Sequence, residues 1–273
     1  MTRHITNTIS QQFGKFASHP FAPWFQKVVN HGYVRIMGLD MSEFDPPSDY
    51  PTLNALFTRR LKAPRPLDET PEAVVSPCDS LVTASGRITG ELALQIKGMS
   101  YRVDPFLGER IDEESRAAVT GGDYINLYLS PSDYHRYHIP VDVQVLRAVH
   151  IPGKLYPVNF PSLRKRSNLF IENERVVIEC LLTNGKRLFI VLVGALNVGK
   201  MQVAFEPRIQ TNADTTEPTV YTFDDLHLKK GDDFGCFEMG STVVLLAEKG
   251  AMEILMAEGN KVRFGEKIAK LRG

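Results

Sequence analysis

The feature that most limits this chain is a change of texture near residue 70. Beyond it, runs of β-branched, aliphatic and aromatic residues alternate with turn formers, at residues 74–75, 81–83, 124–129, 141–149, 175–182, 187–193, 201–205, 242–246 and 252–256. Segments this short and this rich in Val, Ile, Leu, Tyr and Phe predict strands. Asn184 and Gly185 between two of them predict a hairpin, and Lys249 with Gly250 predicts a further turn. No repeat of fixed period interrupts the pattern. The expectation is an α+β fold, with a β-dominated domain over residues 67–273 and amphipathic helices over residues 1–66.

Those front residues follow a helical period. Ile5, Ile9, Phe13 and Phe16 recur at spacings that share one helical face. Pro23 suits the first position of a second helix carrying Trp24, Phe25, Val28 and Val29. Leu53, Leu56, Phe57 and Leu61 form a third stripe beside Arg59, Arg60 and Lys62. The segment holds eight Lys/Arg and four Asp/Glu, whereas the whole chain balances 32 against 32. Two uses fit it: a helical layer packed on the main domain, or a basic, aromatic platform lying on a membrane surface.

Net neutrality argues against a nucleic-acid partner. The longest apolar run, residues 188–196, is far too short to span a bilayer. The first thirty residues do not read as a secretory signal. Cys78, Cys180 and Cys236 are odd in number and far apart, which predicts reduced, buried thiols and no zinc site.

Three short segments carry candidate chemistry. In the first, residues 130–138, Ser130 and Pro131 predict a helical start, so that His135 and His138 would share a face. Taken alone such a pair is more often structural; it can also serve proton transfer or metal binding, and no further metal-ligand cluster accompanies it. The second, residues 235–246, runs a Gly240-Ser241-Thr242 triplet into a strand. A turn before β-structure explains it equally well, and it is not a nucleophile elbow. The third, residues 76–80, places Asp79 in a turn, where its carboxylate would bond nearby backbone.

Taken together and in order, these segments resemble the phosphatidylserine decarboxylase family. Phe57, Arg59, Leu61 and Lys62, then Arg65 and Pro66, look like its "F-x-R-x-L-K…R-P" segment. Ser76, Pro77 and Asp79 look like "S-P-x-D-G", with Ser80 in place of Gly. Gln95, Lys97 and Gly98 are similar to "Q-x-K-G". Residues 129–138 match the double-histidine motif, and Asn168 to Phe170 and Asn173 to Arg175 also match. Met239-Gly240-Ser241-Thr242 corresponds to the processing site "L-G-S-T", with Met for Leu. The resemblance covers nearly the whole chain.

The resemblance implies a self-cleaving precursor. Cleavage between Gly240 and Ser241 would leave a β chain, 1–240, and an α chain, 241–273, which stay associated. Asp79, His138 and Ser241 would form the charge relay for cleavage. Ser241 would become pyruvate bound covalently as a pyruvoyl group, the cofactor that takes the substrate amine as a Schiff base. His135 would be the general acid of decarboxylation, and no metal is implied. The implied substrate is phosphatidylserine in anionic membranes, giving phosphatidylethanolamine at the cytoplasmic side of the cell membrane with the enzyme bound peripherally. A homodimer is compatible with it. A lipid substrate favours docking by Ile5, Ile9, Phe13, Phe16, Trp24 and Phe25, and Arg164, Lys165 and Arg166 are second candidates for lipid phosphates. The rival readings are a pyruvoyl decarboxylase for a soluble amino acid and a non-enzymatic module that kept the fold.

Overall fold

The computed structural model describes residues 5–89, 92–96, 99–156, 169–196, 200–213, 215–238 and 241–273. Its organising element is an eight-stranded antiparallel sheet. Across the sheet run β11 (Thr219–Leu228), β7 (Val143–Ile151), β8 (Arg175–Leu182), β9 (Arg187–Val193), β13 (Ser241–Ala247), β5 (Asp123–Leu129), β2 (Ser80–Arg87) and β15 (Lys261–Val262). The predicted hairpin joins β8 to β9, with Gly185 at φ 75°, a conformation that costs a Cβ-bearing residue energy. β13 lies between β9 and β5, and all seven of its residues are buried. A strand covered on both faces needs no alternation, which is why 242–247 reads as an unbroken apolar run after Thr242.

β11 escaped the sequence reading. It is an edge strand, largely exposed or half-exposed, and Asp224 and Asp225 break its pattern where the register with β7 shifts between Thr222 and Leu226. An edge strand has one neighbour only, so its composition carries a weak strand signal.

Besides a two-stranded antiparallel pair of residues 92–96 and 99–102, two three-stranded antiparallel sheets accompany the large one. One pairs β10 (Met201–Val203), β12 (Asp233–Phe237) and β6 (Arg136–His138). The other pairs β1 (Ala73–Val75), β16 (Lys267–Leu271) and β14 (Met252–Ile254). Cys78, Cys180 and Cys236 are free and buried.

The front of the chain forms α1 (Ile5–Ser18), α2 (Pro23–Met37) and α3 (Leu53–Phe57). Pro23 opens α2 as expected, and Gly38 closes it in the left-handed conformation. Ala17, Leu53 and Leu56 make a small core with Phe13, Val29, Tyr33 and Val34. Phe13 therefore points into the layer and not outward with its predicted companions.

Beside that core, the first two helices also bury polar side chains and expose apolar ones. α2 buries Gln26 and Asn30, which bond each other at 2.8 Å, and Asn30 donates to the carbonyls of Pro47 and Tyr50. The same helix pair exposes Ile5, Ile9, Phe16, Trp24, Phe25, Val28, Ile36 and Met37. Trp24 is 71% exposed and Ile36 80%. A fully exposed Val, Ile, Phe or Met side chain forfeits about 1.5–3 kcal/mol that burial would return, and a half-exposed one a corresponding part.

Candidate active site

The three segments singled out in the sequence meet at one end of the large sheet. The turn 76–79 follows β1 and is closed by the Ser76 hydroxyl donating to the Cys78 carbonyl at 2.7 Å. The Pro77 carbonyl accepts from the His138 amide at 2.8 Å, which ties the turn to β6. Ser241 heads β13, directly opposite Leu129, and Leu129 leads into the loop that carries His135.

The loop does not form the expected helix. Residues 131–133 are a turn, and Asp133 closes it by accepting from the Ser130 amide at 2.6 Å while its own amide donates to the Ser130 carbonyl. Residues 136–138 then join β12. Tertiary ladder pairing outcompetes the local cap, so His135 and His138 do not share a helical face. His135 packs on Phe57, ring centroids 4.0 Å apart. His138 stacks on Phe264 at 3.6 Å.

Both imidazoles are buried and neutral. His135 Nδ1 donates to the Asp133 carbonyl at 2.9 Å, and His138 Nδ1 donates to the Gly231 carbonyl at 3.0 Å. A carbonyl only accepts, so each Nε2 carries the lone pair. His138 Nε2 accepts from the Tyr134 hydroxyl at 3.1 Å. His135 Nε2 has no hydrogen-bond partner among the described residues, and neither does Ser241 Oγ, although both residues are wholly buried. Burial pushes the His135 pKa down to about 3 and that of His138 to about 4, because each charged form would lose its hydration.

Asp79 has other partners than His138. Its carboxylate accepts from Arg65 Nη1 at 2.5 Å, Arg65 Nη2 at 3.0 Å and the Phe264 amide at 2.8 Å. Among the described residues no hydrogen bond joins Asp79 to His138. Phe264 is their common neighbour, giving its amide to one and its ring to the other. A cavity of about 410 Å³ opens beside Asp79, with Arg59, Arg65, Ser130, Tyr134 and Lys261 among its walls. Buried Arg59 donates to the carbonyls of Ser132 and Asp133 at 3.1 and 3.2 Å and so braces the loop bearing His135.

A family model described as phosphatidylserine decarboxylase matches residues 53–270. The chain belongs to the phosphatidylserine decarboxylase family. It is 46% identical to the phosphatidylserine decarboxylase proenzyme of Helicobacter pylori (strain Shi470), over 97% of each chain. It is 42% identical to the proenzyme of Campylobacter jejuni subsp. jejuni serotype O:2, over 95% of this chain and 97% of that one. It is 36% identical to the proenzyme of Coxiella burnetii (strain RSA 331 / Henzerling II), over 81% and 78%.

Within this phosphatidylserine decarboxylase fold, the structure places Asp79, His135, His138 and Ser241 on neighbouring elements. Met239 and Gly240 lie outside the described residues, as do Lys97 and Gly98, Arg164 to Arg166 and Asn168. Sequence reasoning gave no role to Tyr134, Phe264, Glu43 or Arg65. Two of them had left a signal: Arg65 as the arginine of the "R-P" pair and Tyr134 inside the double-histidine motif.

Proposed function

We propose that this chain cuts itself between Gly240 and Ser241, and that its two products together decarboxylate phosphatidylserine to phosphatidylethanolamine. The carrying observation is Ser241 Oγ: a hydroxyl buried at the head of a central strand, without a partner among the described residues. Packing alone gives no reason to keep a polar group there, and a nucleophile awaiting a neighbouring carbonyl does. That residue therefore suits a pyruvoyl group formed in place.

Ser241 Oγ attacks the Gly240 carbonyl carbon. The peptide C–N bond breaks as its nitrogen takes a proton, and an ester then links the two pieces. Loss of the Ser241 α-proton expels the Gly240 carboxylate. Water enters and ammonia leaves, so that a pyruvoyl group heads the small chain. His138 takes the hydroxyl proton at Nε2 and Asp79 steadies the charged ring, once Nε2 has given up the Tyr134 hydroxyl. The pyruvoyl ketone supplies an electron sink for loss of CO₂ from the serine headgroup. His135 delivers a proton to the substrate from Nε2. In the resting chain that atom is a lone pair, so it must first be protonated, which the negative charge of a bound lipid favours.

The small chain holds β13 to β16, and 33 residues are too few to hold a core alone. It stays associated because β13 lies between β9 and β5 and β16 lies between β1 and β14. Residues 1–66 serve as the docking layer. The outward apolar side chains of α1 and α2 enter the headgroup region of an anionic membrane, with exposed Lys15, Lys27 and Arg35 on the same helices. No helix of the described residues is long and apolar enough to cross the bilayer. The docking layer makes this attachment peripheral, and the three free, buried thiols fit the cytoplasmic face.

Denatured intact mass tests the reading. Two chains are expected, the smaller beginning with a pyruvoyl group. One chain of 30.6 kDa that stays whole on incubation overturns it.

A further inference from the structure

Arg65 lies in the front segment, outside every motif to which the chemistry above assigns a role. Its side chain is only 8% exposed, and both ends of its guanidinium fork are occupied by carboxylates. On one side Nε and Nη2 reach Glu43 at 3.1 and 2.8 Å. On the other, Nη1 and Nη2 reach the two oxygens of Asp79 at 2.5 and 3.0 Å. Glu43 also bonds Arg263, the residue before Phe264. Glu43 and Arg65 thus bind the front segment to both chain stretches that border His138: the 76–79 turn and residues 263–264.

A bidentate arginine fixes a carboxylate in position and direction, which a single-point contact does not. The fork and the Phe264 amide together take three of the roughly four lone-pair sites of the Asp79 carboxylate. One site on Oδ2 remains open, while in the resting chain the two His138 nitrogens are held by the Gly231 carbonyl and the Tyr134 hydroxyl. Phe264, whose amide holds Asp79, is stacked on the His138 ring. The carboxylate is therefore held at the margin of that stack, with one lone pair free.

We propose that Arg65 is a positioning residue for self-cleavage: by gripping Asp79 bidentately, with Glu43 bracing it from behind, it holds the Asp79 carboxylate in place for His138. The proposal rests on the role given above to Asp79, His138 and Ser241. It also makes maturation depend on the front segment, which is otherwise the docking layer, since Glu43 and Arg65 both come from it.

Removing the cation acts on the base: His138 loses a positive neighbour that disfavours its protonation. The acid limb of the cleavage rate therefore moves to higher pH. The other groups bearing on Asp79 are Arg59, Asp133, Tyr134 and Cys78, with Lys261 on the cavity wall; those bearing on His138 are Tyr134, Asp233 and Arg136. None of them replaces a fork on Asp79.

The test follows cleavage of the full chain made by cell-free translation, shifted to buffers from about pH 3.5 to 8 and quenched at intervals, with release of the 33-residue chain as readout. Arg65→Ala is expected to slow cleavage at least tenfold at pH 7 and to raise the acid limb by about one pH unit. Arg65→Lys keeps the charge and loses the fork, so it should recover part of the rate and most of the limb. Wild-type rate and an unchanged limb in Arg65→Ala overturn the proposal. If thermal melting shows that Arg65→Ala does not fold, Arg65→Lys decides alone: slower cleavage supports the proposal and the wild-type rate overturns it. Asp79→Asn run in parallel separates the two levels. An inert Asp79→Asn beside an unaffected Arg65→Ala refutes the positioning role only, whereas normal cleavage in Asp79→Asn refutes the relay beneath it.

Discussion

The ring of His135 rests on Phe57 with centroids 4.0 Å apart, so the last residue of α3 forms one wall of the candidate acid. His135 is wholly buried, its Nδ1 committed to the Asp133 carbonyl, and its Nε2 bare among the described residues. A front-segment side chain thereby helps keep water from the His135 ring. His135→Ala is expected to yield both chains and no measurable CO₂ from phosphatidylserine. Mass analysis paired with CO₂ release checks this. Failure of that variant to cut would move the base of self-cleavage from His138 to His135, whose bare Nε2 is the observation favouring that assignment.

His138 is held neutral by burial, with its pKa near 4. A base works only while unprotonated, so self-cleavage should persist from pH 7 down to about 5 and fall towards pH 4. Quenched time courses across this range measure it. A midpoint near 6.5, the ordinary histidine value, would show that the ring is solvated when it acts.

The same two rings make the uncut chain acid-sensitive. Unfolded, each histidine takes up a proton near pH 6.5; folded, His135 waits until about 3 and His138 until about 4. Between those values the unfolded state binds more protons, so stability falls as pH falls. Each group contributes a slope of about 1.4 kcal/mol per pH unit in its window. Urea midpoints of the uncut Ser241→Ala chain should drop from pH 6.5 to 4, and adding His135→Gln should flatten that drop.

Trp24 and Ile36 stand 71% and 80% exposed on α2 and are not among the walls of the cavity beside Asp79. Trp24→Glu with Ile36→Glu should weaken sedimentation with phosphatidylserine-containing vesicles at least tenfold. The melting temperature and the extent of cleavage should stay as in the wild type. A loss of melting temperature equal to that of a core substitution would mean that these side chains pack against protein.

Much of the site was legible because motifs are local. Asp79, the two histidines and Gly240-Ser241-Thr242 stand out as short strings, and strand runs such as 187–193 announce themselves by composition. What was lost lies in pairing. The helix expected after Pro131 gave way to a turn and β6, because β12, nearly a hundred residues later, supplied a ladder. Phe13 shares a helical stripe with Ile5, Ile9 and Phe16, yet it alone turns into the small core under α3. Glu43 and Phe264 had no motif to mark them.

By itself the sequence determined the α+β class, the family and the order of the chemical groups, since each depends on local composition or on strings of adjacent residues. Tertiary structure decided the partners. It set Asp79 on Arg65 and the Phe264 amide, His138 between Tyr134 and Gly231, and His135 against Phe57. It also turned the polar face of α2 inward and left its aromatic face in water. The reason is physical: hydrogen bonds and burial are settled between residues distant in the chain, and a one-dimensional pattern holds no distance between them.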